Sequence, residues 1–391
     1  MKYTIYPVCG SGAVGNHPLD ADAWSGSSAF FFREIERRKA LGQPVGGEIS
    51  FFWKSLLALL NYSKNPAILR RRLYMDTRYR NALSRLLAAK IRNIDFAPDS
   101  LVIQLGSMFN IADAVPDRYA LSSYNDGNFI MSLQSPYFPK EHISAKKIDA
   151  AIRFEKETLS RMRYVWTMSE YLRNSFINDY GLAPEKVFCI GAGINLTDEI
   201  IAEMTQAAEA KKHYDNAEIL FIGVDFPRKG GPTLLKAFRK TQADLPQAKL
   251  HIIGPKSPPE GMDSLPGVTW HGFLNKDNPE DKARLTSLFQ KASLFVMPSV
   301  YEPFGIAPLE AMLNKVPCLV SNRWALPEIV PEGRVGELVE PENVEMLAEK
   351  MTHLLKNPEI LQQYGDQCQP WVLERFSWRK VVDRLEGFLE S

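Results

Sequence analysis

Leu294-Phe-Val-Met-Pro-Ser-Val-Tyr-Glu-Pro-Phe-Gly-Ile-Ala-Pro-Leu-Glu-Ala-Met312 decides how this chain is read. The apolar run Leu294–Met297 is followed by Pro298, a Pro-Phe-Gly turn and a series of helix formers, which is the pattern of a strand, a loop and a helix N-terminus. A helix beginning near Ile306 would aim its unpaired backbone N–H groups and its positive dipole end into the loop. Such a loop is an anion site, and phosphate is its usual occupant.

Two carboxylates make the stretch more specific. Glu302 and Glu310 stand eight positions apart across the turn. Glu310, placed in the first helical turn, offers acceptor oxygens to a vicinal diol such as a ribose, while Glu302 in the loop faces whatever lies beyond the phosphates. A ribose, a diphosphate and a second polyol in line describe a nucleotide sugar. The plain structural alternative makes Glu310 a helix-terminus acid and Glu302 a solvated loop acid.

Outward from this stretch, strand-like runs alternate with helix-like ones, the pattern of parallel sheets covered by helices. The first half reads as strands near Tyr3–Cys9, Leu101–Leu105, Tyr119–Tyr124, Tyr164–Met168 and Val187–Ile190. The second half adds Ile219–Gly223, Lys249–Ile253, Val268–Trp270, Leu294–Met297, Pro317–Ser321 and Gly336–Val339. An α/β chain of two domains follows, joined at the glycine-rich Gly191-Ala-Gly-Ile-Asn195, a hinge-like joint. The length of 391 residues and 45% hydrophobic content suffice for two cores.

The balance of 47 basic and 46 acidic residues gives no global charge to argue for nucleic acid. Cys9, Cys189, Cys318 and Cys368 lie far apart with no ligand-like spacing, so neither a zinc site nor a disulfide framework is expected. Met1–Cys9 reads as a first strand rather than a signal peptide, and no run approaches a membrane span, so a cytoplasmic protein is expected. Arg37-Arg38-Lys39, Arg70-Arg71-Arg72 and Lys146-Lys147 concentrate basic charge in the first half, beside the apolar Phe51-Phe-Trp-Lys-Ser-Leu-Leu-Ala-Leu-Leu60. The expectation is that the arginines are solvated and the Phe51 segment packed. A peripheral contact with an anionic membrane face is the alternative.

Glu302 through Glu310 resembles the Glu-seven-Glu motif of retaining glycosyltransferases with the GT-B architecture, of the family 4 (group 1) type. The resemblance continues in order through Phe221-Ile-Gly-Val-Asp-Phe-Pro-Arg-Lys-Gly-Gly231, Leu250-His-Ile-Ile-Gly254, Val268-Thr-Trp-His-Gly-Phe-Leu274 and Pro327-Glu-Ile-Val330. It covers essentially all of the second half and the first half more loosely. It implies two Rossmann-like parallel-sheet domains facing across a cleft. Residues 1–191 would form an acceptor-binding domain and 192–376 a nucleotide-sugar-binding domain. A last helix, about 377–391, would cross back to the first domain after Arg375-Phe-Ser-Trp378.

The resemblance also implies roles. Lys229 falls on the family's phosphate-binding lysine, while the companion arginine's position falls on Val224, so Arg228 is expected to substitute from another angle. These cations would meet the departing diphosphate as the glycosidic bond lengthens, commonly a dominant catalytic term. The alternative for Arg228 is a surface-exposed basic pair. His271-Gly-Phe-Leu274 resembles the segment that holds the base through backbone groups, here Gly272 and Leu274, with His271 itself structural. The amides of Phe304, Gly305 and Ile306 would meet sugar hydroxyls and phosphate, Gly305 allowing close approach, and Glu302 would grip the transferred sugar. Ser123-Tyr-Asn-Asp126 stands where many relatives end a strand with His-Asp. Asn125 therefore leaves no imidazole base, and Asp126, with a turn or cap role as its alternative, is the polar candidate near the anomeric carbon. His17 in the preceding loop is another.

Gly10-Ser-Gly-Ala-Val-Gly15 matches the GxGxxG spacing of dinucleotide sites, but the required helix and acidic residue do not follow, so NAD is not expected. Trp24-Ser-Gly-Ser-Ser28, with Gly26 central, resembles the family's small-residue lead-in to the first helix. There backbone N–H groups approach phosphate or an acceptor sugar, against the alternative of a surface loop with Ser25 as a helix cap.

The activity so implied is retaining, metal-independent transfer of a hexose from a nucleotide sugar to a saccharide or lipid-linked saccharide, in exopolysaccharide or envelope glycan assembly. A UDP-sugar, glucose first, is the expected donor. No cofactor is expected, and no DxD carboxylate pair adjoins the diphosphate site. A nucleotide-sugar 2-epimerase and a noncatalytic nucleotide-sugar sensor are the alternatives.

Overall fold

Runs of consecutive apolar residues, rather than alternating ones, mark strands covered on both faces, and these build the protein. The computed structural model describes residues 1–10, 16–20, 26–207, 212–260, 262, 265–276 and 278–390. The Ser11–Gly15 part of the GxGxxG match, and Trp24 and Ser25, lie outside the described residues. The chain divides into two compact units, Met1–Asn195 with Trp378–Ser391, and Leu196–Ser377.

The first unit contains a six-stranded sheet of β1 (Thr4–Gly10), β2 (Val45–Gly47), β3 (Ser100–Leu105), β4 (Ala120–Asn125), β5 (Tyr164–Thr167) and β6 (Val187–Cys189). Its order is β2-β1-β3-β4-β5-β6, every neighbouring pair parallel. All six residues of β3 and of β4 are buried. β2 has no counterpart among the strand-like runs of the sequence. Its Val-Gly-Gly lacks an apolar pattern, and only pairing with Val8–Gly10 makes it a strand. The terminal helix Trp378–Glu390 belongs to this unit and turns Trp378, Val381, Val382 and Leu385 inward.

The second unit repeats the plan with β7 (Glu218–Ile222), β8 (Lys249–Ile253), β9 (Val268–Gly272), β10 (Leu294–Met297), β11 (Cys318–Ser321) and β12 (Gly336–Val339). The order is β12-β11-β10-β7-β8-β9, again parallel throughout. Phe221, Phe238, Ile252, Leu294, Val296 and Leu319 are among the buried residues of its core. The chain builds outward through β8 and β9, then returns to the other side of β7 for β10. The strand order therefore reverses between β7 and β10, and ligands of such sheets sit beyond the carboxyl ends of the strands at this point.

Two expectations are corrected. The Phe51 segment does form a helix, Phe51–Leu60, but it is not packed: Leu57 alone of its ten residues is buried. Strand β9 does not stop at Trp270. It continues to Gly272 through a register shift, with Ile252 opposite Trp270 and Ile253 opposite Gly272, leaving His271 as the extra residue of a bulge.

Candidate functional site

The switch point selects two loops, Gly223–Gly230 after β7 and Pro298–Gly305 after β10. Each ends in a left-handed glycine that caps a helix without a side-chain cap. Gly230 (φ 79°) precedes the helix Gly231–Asp244, and Gly305 (φ 111°) precedes Ile306–Leu313. The first-turn N–H groups of both helices therefore have no capping side-chain acceptor, which suits them to an anion. The loops are stitched together: Val300 N–H donates to the Arg228 carbonyl at 2.9 Å, and Arg228 Nη1 donates to the Tyr301 carbonyl at 2.7 Å. Behind them Ser321 Oγ donates to the Ser299 carbonyl at 2.6 Å, and Trp324 Nε1 to the Val300 carbonyl at 3.1 Å.

Within this frame the Lys229 ammonium bonds the Glu302 carboxylate. Arg228 Nη1 stands 3.9 Å from the same carboxylate, while its Nε faces Asp225 at 3.2 Å. Side-chain exposure is 14% for Lys229 and 9% for Glu302, so water screens the pair weakly. Arg228 is thus a brace for the Val300–Glu302 segment as well as a cation beside it. Val224, where the resemblance places the companion arginine, is exposed.

Glu310 is buried, and its carboxylate bonds the Lys276 ammonium. With Ile306 as the first helical residue, Glu310 is the fifth, just past the first turn rather than within it. Its carboxylate is therefore no helix-terminus acid. Lys276 comes from the segment after β9, so the ion pair joins Glu310 to the stretch that includes His271–Leu274. Phe304 and Leu274 are buried, Ile306 half-buried, and Gly272 takes φ 71°. The side chains of Phe304 and Leu274 serve the core, leaving their backbone groups as the usable part.

The bulge at His271 has an electrostatic consequence. His271 Nε2 lies 3.0 Å from His251 Nδ1, and His251 Nε2 lies 3.3 Å from Glu218 Oε2. Burial, assisted by His251 and Arg284, pushes His271 down from 6.5 to about 4, and burial also lowers His251. The folded protein thus binds the His271 proton less readily than the unfolded chain does. The stability tied to this site is full above pH 6.5 and is lost as pH falls towards 4. Melting temperature should fall over that window, and His271→Asn should flatten the fall; equal slopes for variant and wild type would disprove the assignment.

In the first unit, Asp126 sits half-buried in the bend between β4 and the helix Phe129–Gln134. Asn125 is buried, donating to Ser123 Oγ at 3.0 Å and to the Trp166 carbonyl at 3.2 Å, with its Oδ1 lacking a hydrogen-bond partner among the described residues. Gly26 is the left-handed N-cap of the helix Ser27–Arg37, with φ 92°. His17 Nδ1 accepts from Leu19 N–H at 3.3 Å, a loop-internal bond.

The second unit therefore gathers Arg228, Lys229, Glu302 and the amides of Phe304–Ile306 at the switch point, with Glu310 tied to the segment after β9. Asp126 and Gly26 lie in the first unit. Sequence reasoning missed Lys276, Asp225, Ser321 and Trp324. A lone lysine after Leu274 and an acid before Pro227 carry no motif, and the other two act through backbone carbonyls.

Residues 204–370 match the family of glycosyl transferases group 1. The chain is 25% identical over 243 residues to the MMP alpha-(1->4)-mannosyltransferase of Mycolicibacterium hassiacum, covering 61% of this chain and 57% of that one. It is 32% identical over 237 residues to the alpha-maltose-1-phosphate synthase of Mycobacterium tuberculosis, covering 56% and 61%. The chain thus spans less than two thirds of the length of these relatives. Among solved structures, sucrose-phosphate synthase of Thermosynechococcus elongatus aligns over 98% of both chains with a TM-score of 0.70 at 16% identity. HepE of Anabaena, solved with UDP-glucose, aligns over 98% of this chain and 99% of that one with a TM-score of 0.59 at 17% identity. Residues 204–370 thus resemble the glycosyl transferases of group 1, and they are carried on a chain with the two-sheet GT-B fold.

Proposed function

We propose that this protein is a retaining glycosyltransferase that moves a hexose, glucose first, from a UDP-sugar to a saccharide or lipid-linked saccharide in exopolysaccharide or envelope glycan synthesis. The observation that carries this reading is the convergence of Lys229 on Glu302 at the switch point of the second sheet. Glu310, buried and tied to Lys276, supports it as the ribose acceptor. The match to group 1 glycosyl transferases covers this region, and the UDP-glucose bound by HepE supports the choice of donor.

On this reading, the Lys229 ammonium leaves Glu302 for the diphosphate when donor arrives, freeing the carboxylate to accept hydrogen bonds from the sugar. The bond between the anomeric carbon and the diphosphate oxygen breaks as the acceptor oxygen attacks from the same face. The acceptor's proton passes to the leaving phosphate oxygen, and the anomeric configuration is retained. Lys229, Arg228 and the two helix N-termini supply the positive charge that the leaving group needs, so transfer is proposed to run without a metal.

The test is a thermal-shift and calorimetric series with UDP, GDP, ADP, NAD and the corresponding sugar nucleotides, in chelator, on wild type and Glu310→Ala. UDP should stabilise the wild type. Glu310→Ala should weaken it by about 1.5–3 kcal/mol, roughly ten- to a hundredfold, the scale of a hydrogen bond to a charged group. Stabilisation by NAD alone, or by no nucleotide, would remove the donor-site assignment. Donor binding with neither transfer nor slow hydrolysis would select the noncatalytic reading.

A further inference from the structure

The helix Phe51–Leu60 is apolar around most of its circumference, yet it turns its largest side chains outward. Phe51 is 85% exposed, Phe52 72%, Leu59 71%, and Trp53 and Leu60 54% each. Clustered exposure of this kind marks a contact surface. Ten residues rise only about 15 Å, half of a bilayer's hydrocarbon core of about 30 Å, so the helix is suited to lie along an interface rather than cross it.

The surrounding charge says what the contact is. From Ser50 to Met75 the sequence has no Asp or Glu, and it holds five cations, Lys54, Lys64, Arg70, Arg71 and Arg72. Lys54 pairs with Glu48, while Lys64, Arg70 and Arg71 are exposed. Tyr62, just past the helix, also borders a cavity of about 240 Å³ together with Arg72, His142 and Lys147. Arg72 is fixed there by the carbonyls of Tyr62, at 2.8 Å, and His142, at 2.7 Å. A second copy of this chain would bring like charges together, whereas an anionic bilayer offers phosphates beside hydrocarbon.

We propose that the helix Phe51–Leu60 seats this protein on an anionic lipid surface, its aromatic and leucine side chains below the headgroups and Arg70, Arg71 and Arg72 against the lipid phosphates. This does not depend on the identity of the sugar donor.

The test uses the full chain with vesicles of phosphatidylcholine alone or with about a third phosphatidylglycerol. Wild type should sediment with the anionic vesicles, bind neutral ones about tenfold or more weakly, and release with salt. Brominated lipid should quench Trp53 fluorescence, and the quenched component should be missing in Trp53→Phe. Phe52→Glu with Leu59→Glu should lose about tenfold or more in binding while the melting temperature holds, because both side chains are exposed. Arg70→Glu with Arg71→Glu should do the same. Failure to bind anionic vesicles, or undiminished binding by either double variant, overturns the proposal. So does a wild-type dimer in solution that Phe52→Glu with Leu59→Glu dissociates, which would assign the face to a second copy.

Discussion

On the proposed function, Lys229→Met should lower the transfer rate by about 10²–10³, the loss expected when one preorganised charged donor of about 2.7–4 kcal/mol is removed from a developing anion. Position sets the size of the effect: Lys229 stands in the loop after β7, at the reversal of the strand order, bonded to a nearly buried Glu302. Breaking a buried ion pair by removing one partner also destabilises, by about 3–5 kcal/mol where both groups are fully sequestered. Here the cost should be smaller, because Arg228 remains 3.9 Å from Glu302 and both partners retain some exposure. Stability and catalysis can therefore be separated. Adding Glu302→Gln to Lys229→Met neutralises the stranded carboxylate and should restore the melting temperature, but not transfer. Single-variant activity within a factor of about three of wild type would end the phosphate assignment of Lys229.

Gly230→Ala should be among the most destabilising single-methyl changes in the second unit. At φ 79° the residue lies in the left-handed region, and a Cβ placed there would stand 2.0 Å from the Pro298 carbonyl oxygen and 2.6 Å from its carbon. The backbone conformation costs a non-glycine residue about 1–2 kcal/mol, and the forced contact adds about 1–3 kcal/mol. A loss of about 3 kcal/mol corresponds to roughly 6–12 °C in melting temperature for a unit of this size. The displaced group is the backbone of Pro298, which leads into Glu302, so transfer should fall with stability. Gly305→Ala is the useful contrast. Its Cβ would meet the end of the Leu326 side chain at 2.9 Å, and a side chain can move where a carbonyl cannot. The contact part of the loss should therefore be smaller for Gly305→Ala, whose φ of 111° makes the backbone part the larger one. A Gly230→Ala loss of no more than the backbone cost of about 1–2 kcal/mol would show that the Gly230 and Pro298 backbones are not held against each other.

Much of the fold was legible because its information is local. A run such as Leu294–Met297 buries both faces in a parallel sheet, so its composition announces the strand whatever its neighbours are. Where the apolar signal fails, the reading fails. β2 is a strand only because β1 offers it partners, and the bulge at His271 is visible only against β8. Composition also misled at Phe51–Leu60. An apolar helix reads as packed, but burial requires a neighbour, and only Leu57 has found enough of one.

The sequence by itself determined the kinds of element and the chemistry of the candidate site. Strand, glycine turn and helix follow from short-range sterics and hydrophobicity, and Glu302, Glu310, Arg228 and Lys229 are recognisable as types at fixed spacings. Tertiary structure alone decided the partners. Lys229 and Glu302 are 73 positions apart, and Lys276 and Glu310 are 34 apart. No local preference encodes such pairs. Lys229 meets Glu302 because the order β12-β11-β10-β7-β8-β9 sets β10 beside β7, carrying the loops that follow them to the same carboxyl end of the sheet, and that order is the outcome of packing the whole unit.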